Sequence, residues 1–275
     1  IIQKLFKAGI KNANARAAGE SLGMGASFGL WLADRLIFSN IRAKFGGRLK
    51  YAISGSAALD PQVANFIDAL GIDVYEGYGL TETSPIVTAN YPGHRKIGSV
   101  GKVIPGVEVE IDESLSDRDG EGEIVVRGPN VMQGYHNRPE ENEAVLNEDH
   151  AFRTGDLGRL DDDGFLYITG RIKEQYKLEN GKYVMPAPLE EQLKLSPYIA
   201  NVLLFGDNRP HNVLLVVPDQ AALDNWAQNN GGKADPDSPE VRKLIEKELD
   251  DRCKAFKNFE RPKDFCIVSE DFSTD

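Results

Sequence analysis

The stretch RLKYAISGSAALDPQVANFIDALGIDVYEGYG, residues 48–79, constrains the fold more than any other part of the chain. Its first six residues alternate and then run apolar, as a buried strand does. A small-residue loop, SGSAALDP, follows, with Asp60 placed as an N-cap and Pro61 at the first helical position. Val63, Phe66, Ile67 and Leu70 recur at helical spacing, and Gly71 stops the helix. IDVYEG then reads as a second short strand. Strand, loop, helix and strand in this order make a βαβ unit, and ligands favour the carboxyl ends of its strands. The stretch EGYGLTETSP, residues 76–85, sits at such an end.

From about residue 95 the texture changes. VEVEI (107–111) alternates strictly, and DRDGEG is a turn before the strand EIVVRG. FRTGDLGRL and FLYITG flank DDDG, another hairpin signal; three aspartates without EF-hand spacing read as a solvated turn. After TGRIKE the pattern is mixed. A helix near 187–195 precedes NVLLFG and the buried strand VLLVVP, and the polar loop NNGGKADPDS leads to a helix from Pro239. That helix has Val241, Leu244, Ile245, Leu249 and Phe256 as its apolar face. FGLWLADRLIF (28–38) predicts an amphipathic helix with Phe28, Leu32 and Leu36 on one face, read as packing on the core, with membrane docking as the alternative.

Composition narrows the function classes. A net charge of −11 gives no counterion release on a phosphate backbone, which argues against nucleic acid and anionic lipid as generic partners. Cys253 and Cys266 form no CxxC and no metal spacing, so a reduced, cytoplasmic protein is expected. His94, His136, His150 and His211 are scattered, with no HExxH pair. No signal peptide and no run of ~18 apolar residues is present, so no spanning helix is expected. The chain opens on IIQKLFKAG and ends on SEDFSTD, and both ends look cut.

Four segments, in order and spacing, resemble the AMP-forming acyl- and aryl-CoA ligases, the adenylate-forming enzymes. They are YEGYGLTETSP (75–85), GEIVVRGPNVMQGYHNRPEEN (122–142), FRTGDLGRLDDDGFLYITGR (152–171) and GRIKEQYKLENGKYVMPAPLEE (170–191). FGGRLKYAISGSAAL and KLENGKYVMP look most like the bacterial long-chain fatty acyl-CoA synthetase branch. The resemblance implies an α/β and α+β architecture in three parts. Residues 1–94 would close the α/β subdomain of a large N-terminal domain, 95–171 would be a β-rich, barrel-like subdomain, and 172–275 an incomplete small α+β C-terminal domain. It also implies the reaction. A fatty acid carboxylate attacks the α-phosphate of ATP, giving acyl-adenylate and pyrophosphate, and the thiol of coenzyme A then displaces AMP. ATP/AMP, Mg2+ and coenzyme A are thus the implied cofactors and substrates. Peripheral contact with a membrane surface and the oligomeric state stay open.

The residues take roles within that resemblance. Tyr78, between Gly77 and Gly79, can lay its ring on a planar base, although a half-buried aromatic in a turn would read the same. Thr81 offers a hydroxyl to the α-phosphate and Glu82 a hard oxygen to Mg2+, the competing reading being a capped helix start. Glu76 and Gly77 resemble positions lining the base and the substrate carbonyl. Gly55, Ser56, Ala57 and Ala58 would line the adenine and acyl groove; this loop lacks the GxSxG elbow of a serine nucleophile. Asp156 resembles the ribose-binding acid and Arg171 the arginine reaching ribose and phosphate, each with a plain strand-end reading beside it. Lys173 falls at the hinge between domains. Lys177 would turn inward as a catalytic group of the thioester step, or lie on a charged helix surface, and Gly181 would leave room for pantetheine.

Two elements of the resemblance are missing from these residues. There is no Ser/Thr/Gly-rich loop ending in lysine to wrap the β- and γ-phosphates, and no C-terminal PKT-GK or TPTLK type lysine motif. Negligible ligase activity for the chain alone is the expectation, with apolar surface left unpaired. A ligase for another carboxylic acid or for acyl carrier protein, and a non-catalytic nucleotide-binding module, are the alternatives.

Overall fold

The protein is described from a computed structural model, which covers residues 2–17, 20–57, 59–115, 120–231 and 234–272. Ala58, part of the turn DRDGEG and two residues of the loop NNGGKADPDS lie outside the described residues. The chain divides into two compact units: Ile1–Thr154 with Gly158–Ile168, and Gly155–Leu157 with Thr169–Asp275.

The first unit opens with helices α1 (Ile2–Ala17) and α2 (Met24–Ala33), a π turn at Asp34–Phe38, and α3 (Ser39–Lys44). Strand β1 (Tyr51–Ser54), helix α4 (Pro61–Ala69) and strand β2 (Asp73–Tyr78) then form the expected βαβ unit. β1 and β2 are parallel, with Tyr51 opposite Asp73 and Ser54 opposite Glu76. The local chemistry is as read: Asp60 Oδ1 accepts from the N–H of Gln62 at 2.6 Å and of Val63 at 3.3 Å, and Gly71 leaves the helix at φ +79°. Strands β3 (Thr88–Ala89) and β4 (Lys102–Val103) complete a sheet of order β1-β2-β3-β4.

Two parts of the sequence reading change here. β1 is not a buried strand: it lies at the sheet edge, with Tyr51 60% and Ile53 82% exposed. The face Phe28/Leu32/Leu36 does not pack on the core either. The inward face is Leu30, Ala33, Ile37 and Phe38, packed with Leu70 and Ile72, while Phe28, about 200° round the helix from Leu30, and Leu36 are exposed.

The β-rich part contains β5 (Glu108–Asp112), β6 (Gly122–Arg127), helix α5 (Pro139–Val145), β7 (Phe152–Leu160) and β8 (Leu166–Arg171), with sheet order β5-β6-β7-β8. Its sheet curls toward the first. Leu166 N–H donates to the Gly101 carbonyl at 2.9 Å and Val100 N–H to the Leu166 carbonyl at 2.8 Å, giving a barrel-like wrap. Val87, Ile124, Val126, Phe152 and Leu166 fill the space between. The DDDG turn is held by the Phe165 N–H on Asp161 Oδ1 at 2.9 Å and by Lys96 Nζ, 2.7 Å from Asp161 and 2.6 Å from Asp163.

The second unit is α+β. A hairpin of β9 (Tyr176–Lys177) and β10 (Tyr183–Val184) leads to α6 (Pro186–Lys194), β11 (Ile199–Phe205), β12 (Asn212–Pro218), α7 (Gln220–Asn230), α8 (Pro239–Cys253) and β13 (Pro262–Ile267). β12 is central, antiparallel to β11 and parallel to β13. Leu189, Leu193, Leu214, Val216, Val241 and Ile245 form the core, each buried side chain contributing about 1.5–3 kcal/mol. Phe256 lies past the end of α8, on the turn closed by its N–H to the Cys253 carbonyl. Cys253 is buried, its thiol pushed up to about 11 by burial; Cys266 is exposed, and the two are unpaired. Among the described residues no helix is long and apolar enough to cross a membrane.

Candidate functional site

At the carboxyl end of β2 the backbone doubles back on itself, and glycine permits the approach. A Cβ on Gly79 would overlap the Pro85 carbonyl, and one on Gly77 would lie 3.2 Å from the Thr88 carbonyl oxygen. Between Gly79 and Pro85, residues 81–83 form one 3-10 turn. The helix start expected at Thr81 is therefore a single turn, too short to supply a helix dipole. Thr83 closes it: this buried hydroxyl accepts from the Leu80 N–H at 2.9 Å and lies 3.0 Å from the Leu80 carbonyl. Thr81 is left exposed, its hydroxyl without a hydrogen bond among the described residues. Tyr78 is half-buried against the β-rich core.

Glu82 is held at both ends. Its carbonyl accepts from the Met132 N–H at 2.8 Å, and its Oε1 accepts from the Tyr135 hydroxyl at 2.8 Å. Burial, and then the Glu82 carboxylate, push the Tyr135 hydroxyl up to about 12, so it is a neutral donor near pH 7. No cluster of three metal-ligating side chains exists among the described residues. One carboxylate does suit Mg2+ arriving with a nucleotide, since that ion keeps waters and takes its other oxygens from phosphates. The residues fit such a shared ion rather than a resident protein cage.

The loop after β1 lies beside this turn. Gly55, Ser56 and Ala57 are exposed, and a Cβ on Gly55 would sit 3.7 Å from the Gly77 carbonyl. Ser56 adopts φ 70°, a left-handed conformation uncommon for serine. The Glu76 side chain is not open to a ligand. It is buried, with the backbone amides of Leu59 and Gly98 near its carboxyl. Burial raises its pKa, against the pull of those two amides.

In the second unit, Asp156 and Arg171 meet directly, with Arg171 Nε donating to Asp156 Oδ1 at 2.7 Å. Asp156 is only 4% exposed, whereas Arg171 is exposed. Lys173 is exposed in the 3-10 turn Ile172–Glu174. Lys177 lies on strand β9, not on a helix, with Nζ 5.0 Å from the Tyr183 ring centre. Gly181 makes the hairpin turn at φ +83°, its N–H donating to the Leu178 carbonyl at 2.9 Å.

Sequence reasoning missed two sets of residues. One is Tyr135, whose link to Glu82 spans 53 positions and has no local signature. The other is a cationic cavity of about 290 Å³ next to the β9–β10 turn, lined by Asn180, Lys182, His211, Phe259, Arg261 and Lys263. Arg261 is fixed there by the Phe256 and Lys254 carbonyls, each at 2.8 Å, and Lys182 Nζ lies 4.6 Å from the Phe259 ring centre. The run ERPK, residues 260–263, was the available signal, a local basic pair in an acidic chain.

With this geometry in view, comparison with known proteins is decisive. The AMP-binding enzyme family model matches residues 3–136, and that of the AMP-binding enzyme C-terminal domain matches residues 173–246. The chain belongs to the AMP-binding enzyme family. Curated relatives include fatty-acid–CoA ligases. Long-chain-fatty-acid–CoA ligase FadD15 of Mycobacterium bovis is 37% identical over 248 residues, 88% of this chain and 40% of the relative. Human long-chain-fatty-acid–CoA ligase 1 is 34% identical over 262 residues, 90% of this chain and 37% of the relative. The chain thus spans about 40% of the length of these relatives. The adenylation domain of a carboxylate reductase from Mycobacterium chelonae shares the fold, with TM-score 0.71 and 24% identity over 98% of this chain and 40% of that one. O-succinylbenzoate coenzyme A synthetase from Bacillus subtilis, solved with AMP, has TM-score 0.61 and 26% identity over 84% of this chain and 46% of that one. As an AMP-binding enzyme, the chain has the mixed α/β and α+β fold of the adenylate-forming domains.

Proposed function

We propose that this AMP-binding enzyme chain carries the nucleotide turn and the coenzyme A face of a ligase that activates long-chain fatty acids. One observation carries the reading: the glycine-forced turn that leaves the Thr81 hydroxyl exposed beside a braced Glu82. A phosphate needs an uncommitted donor and an anionic ligand for its cation, and this turn offers both. Tyr78 supplies the adenine platform, and Gly55, Ser56 and Ala57 line the groove. Asp156 receives the ribose hydroxyls, with Arg171 beside it. Mg2+, when bound with the nucleotide, offsets the negative charge developing at the phosphates. The carboxylate oxygen of the fatty acid bonds to the α-phosphorus as the bond to pyrophosphate breaks; the coenzyme A sulfur then bonds to the carbonyl carbon as AMP leaves. Lys177, Gly181 and the cationic cavity beside them suit the second step, because coenzyme A is a polyanion ending in a thin thiol arm. Lys173 is the hinge.

The long-chain substrate is supported by the names of the relatives at 34–37% identity. These 275 residues contain no Ser/Thr/Gly-rich loop ending in lysine, so the chain alone should turn over negligibly. Two measurements test the reading. Calorimetry with AMP should show binding that Tyr78→Ala and Thr81→Ala weaken. Pyrophosphate release with ATP and palmitate should stay below ~1 s⁻¹, an ordinary enzyme rate. No AMP binding by the folded chain would overturn the nucleotide assignment, and faster release would overturn the expected inactivity.

A further inference from the structure

Glu82 is braced from a distant segment, and the bracing is itself built. Tyr135 donates to Glu82 Oε1 at 2.8 Å, and Met132 N–H takes the Glu82 carbonyl at 2.8 Å, so segment 132–135 holds both the side chain and the backbone of one residue. Tyr135 is held in turn by Asn142 on α5. The Tyr135 N–H donates to Asn142 Oδ1 at 2.7 Å, and Asn142 Nδ2 donates to the Tyr135 carbonyl at 3.0 Å. Gly134, at φ +135°, makes this clamp possible, because a Cβ there would lie 3.0 Å from Asn142 Oδ1. Glu82 Oε2 takes no hydrogen bond among the described residues.

The chemistry of the brace is selective. An arginine or lysine partner would neutralise Glu82 and compete with a cation. A phenol fixes one carboxylate oxygen and leaves the negative charge in place. We propose that Tyr135 is a positioning residue for the divalent cation that accompanies the nucleotide, fixing Glu82 through Oε1 so that Oε2 meets the cation, with Asn142 locking Tyr135. This rests on the reading of Glu82 as that cation's ligand.

The test measures how strongly Mg2+ and nucleotide help each other bind. A fluorescent ATP analogue is titrated into the 275-residue chain with and without Mg2+, and the ratio of the two affinities is the readout. Glu82→Gln should abolish the Mg2+ advantage. Tyr135→Phe should reduce it by about 10–100-fold in cation affinity, recoverable by raising Mg2+, as loss of a hydrogen bond to a ligating carboxylate does. Added to Glu82→Gln, Tyr135→Phe should cost nothing more. Asn142→Asp keeps the Oδ1 acceptor and removes one point of the clamp, so a smaller loss is expected; it also serves if Tyr135→Phe does not fold. No Mg2+ advantage in the native chain, or one that survives Glu82→Gln, overturns the Glu82 reading and the proposal with it. An advantage lost in Glu82→Gln but intact in folded Tyr135→Phe or Asn142→Asp overturns the Tyr135 role alone.

Discussion

Replacing Asp156 with asparagine tests the ribose assignment. The carboxylate is 4% exposed, and Arg171 Nε donates to its Oδ1 at 2.7 Å. Asparagine keeps the shape but replaces one acceptor oxygen with a donor NH2. Hydrogen bonds to a charged acceptor contribute about 1.5–3 kcal/mol each. If Asp156 accepts from a ribose hydroxyl, AMP affinity should fall about 10- to 150-fold for each bond lost. Stability should fall less than for a fully buried pair, since the Arg171 side chain is exposed and water can solvate it. The assay is calorimetric titration of native and Asp156→Asn chains with AMP, 2′-deoxy-AMP and 3′-deoxy-AMP. The native chain should discriminate against the deoxy compounds, and the variant should not. Equal discrimination by both would refute the reasoning, whatever the absolute affinities, because the hydroxyls would then be read by another group.

Two further outcomes follow from the geometry. Gly79→Ala must push the Pro85 carbonyl away, so urea denaturation should show a loss of about 1–3 kcal/mol and AMP binding should fall with it; an unchanged midpoint would contradict the close approach. Burial raises the folded-state pKa of Glu76 above its ordinary 4.5, so the folded chain holds that proton where the unfolded chain has released it. The Glu76 contribution to stability is thus fully present below the unfolded value and lost as pH rises through the folded one. The melting temperature of Glu76→Gln relative to the native chain should rise with pH across that window and then level off; a difference that shrinks with pH would contradict the sign.

How much was legible depended on the range of each interaction. Helix α4 could be read because its signals are neighbours in the chain: Asp60 caps amides two and three residues away, and Gly71 leaves the helix at positive φ. The same holds for α8, with Val241, Ile245 and Leu249 one turn apart on a buried face. The Phe28/Leu32/Leu36 stripe failed because the same segment carries a second apolar face, Leu30, Ala33 and Ile37, and only packing with Leu70 and Ile72 selects between them. β1 failed because a strand's apolar run records its preference for burial, while its place in the sheet decides whether a neighbour covers it.

In the site, the residue types at 76–85 were sufficient to mark a turn with a hydroxyl and a carboxylate at a strand end. The division of labour among them was not. Thr81 and Thr83 are equivalent in sequence, and packing buries one to close the turn and leaves the other exposed. Glu76 and Glu82 are both carboxylates beside glycine-rich backbone, yet one is buried and the other is braced by Tyr135. Lys182 and Arg261 lie nearly eighty positions apart by their numbering and line one cavity. The sequence by itself determined the βαβ unit, the hairpins and the chemistry available at the turn, because backbone propensity and side-chain spacing act over a few residues. Only the tertiary structure decided which of those groups are exposed, which are tied to backbone and which meet, because burial and hydrogen-bond partnering are set by contacts between segments far apart in the chain.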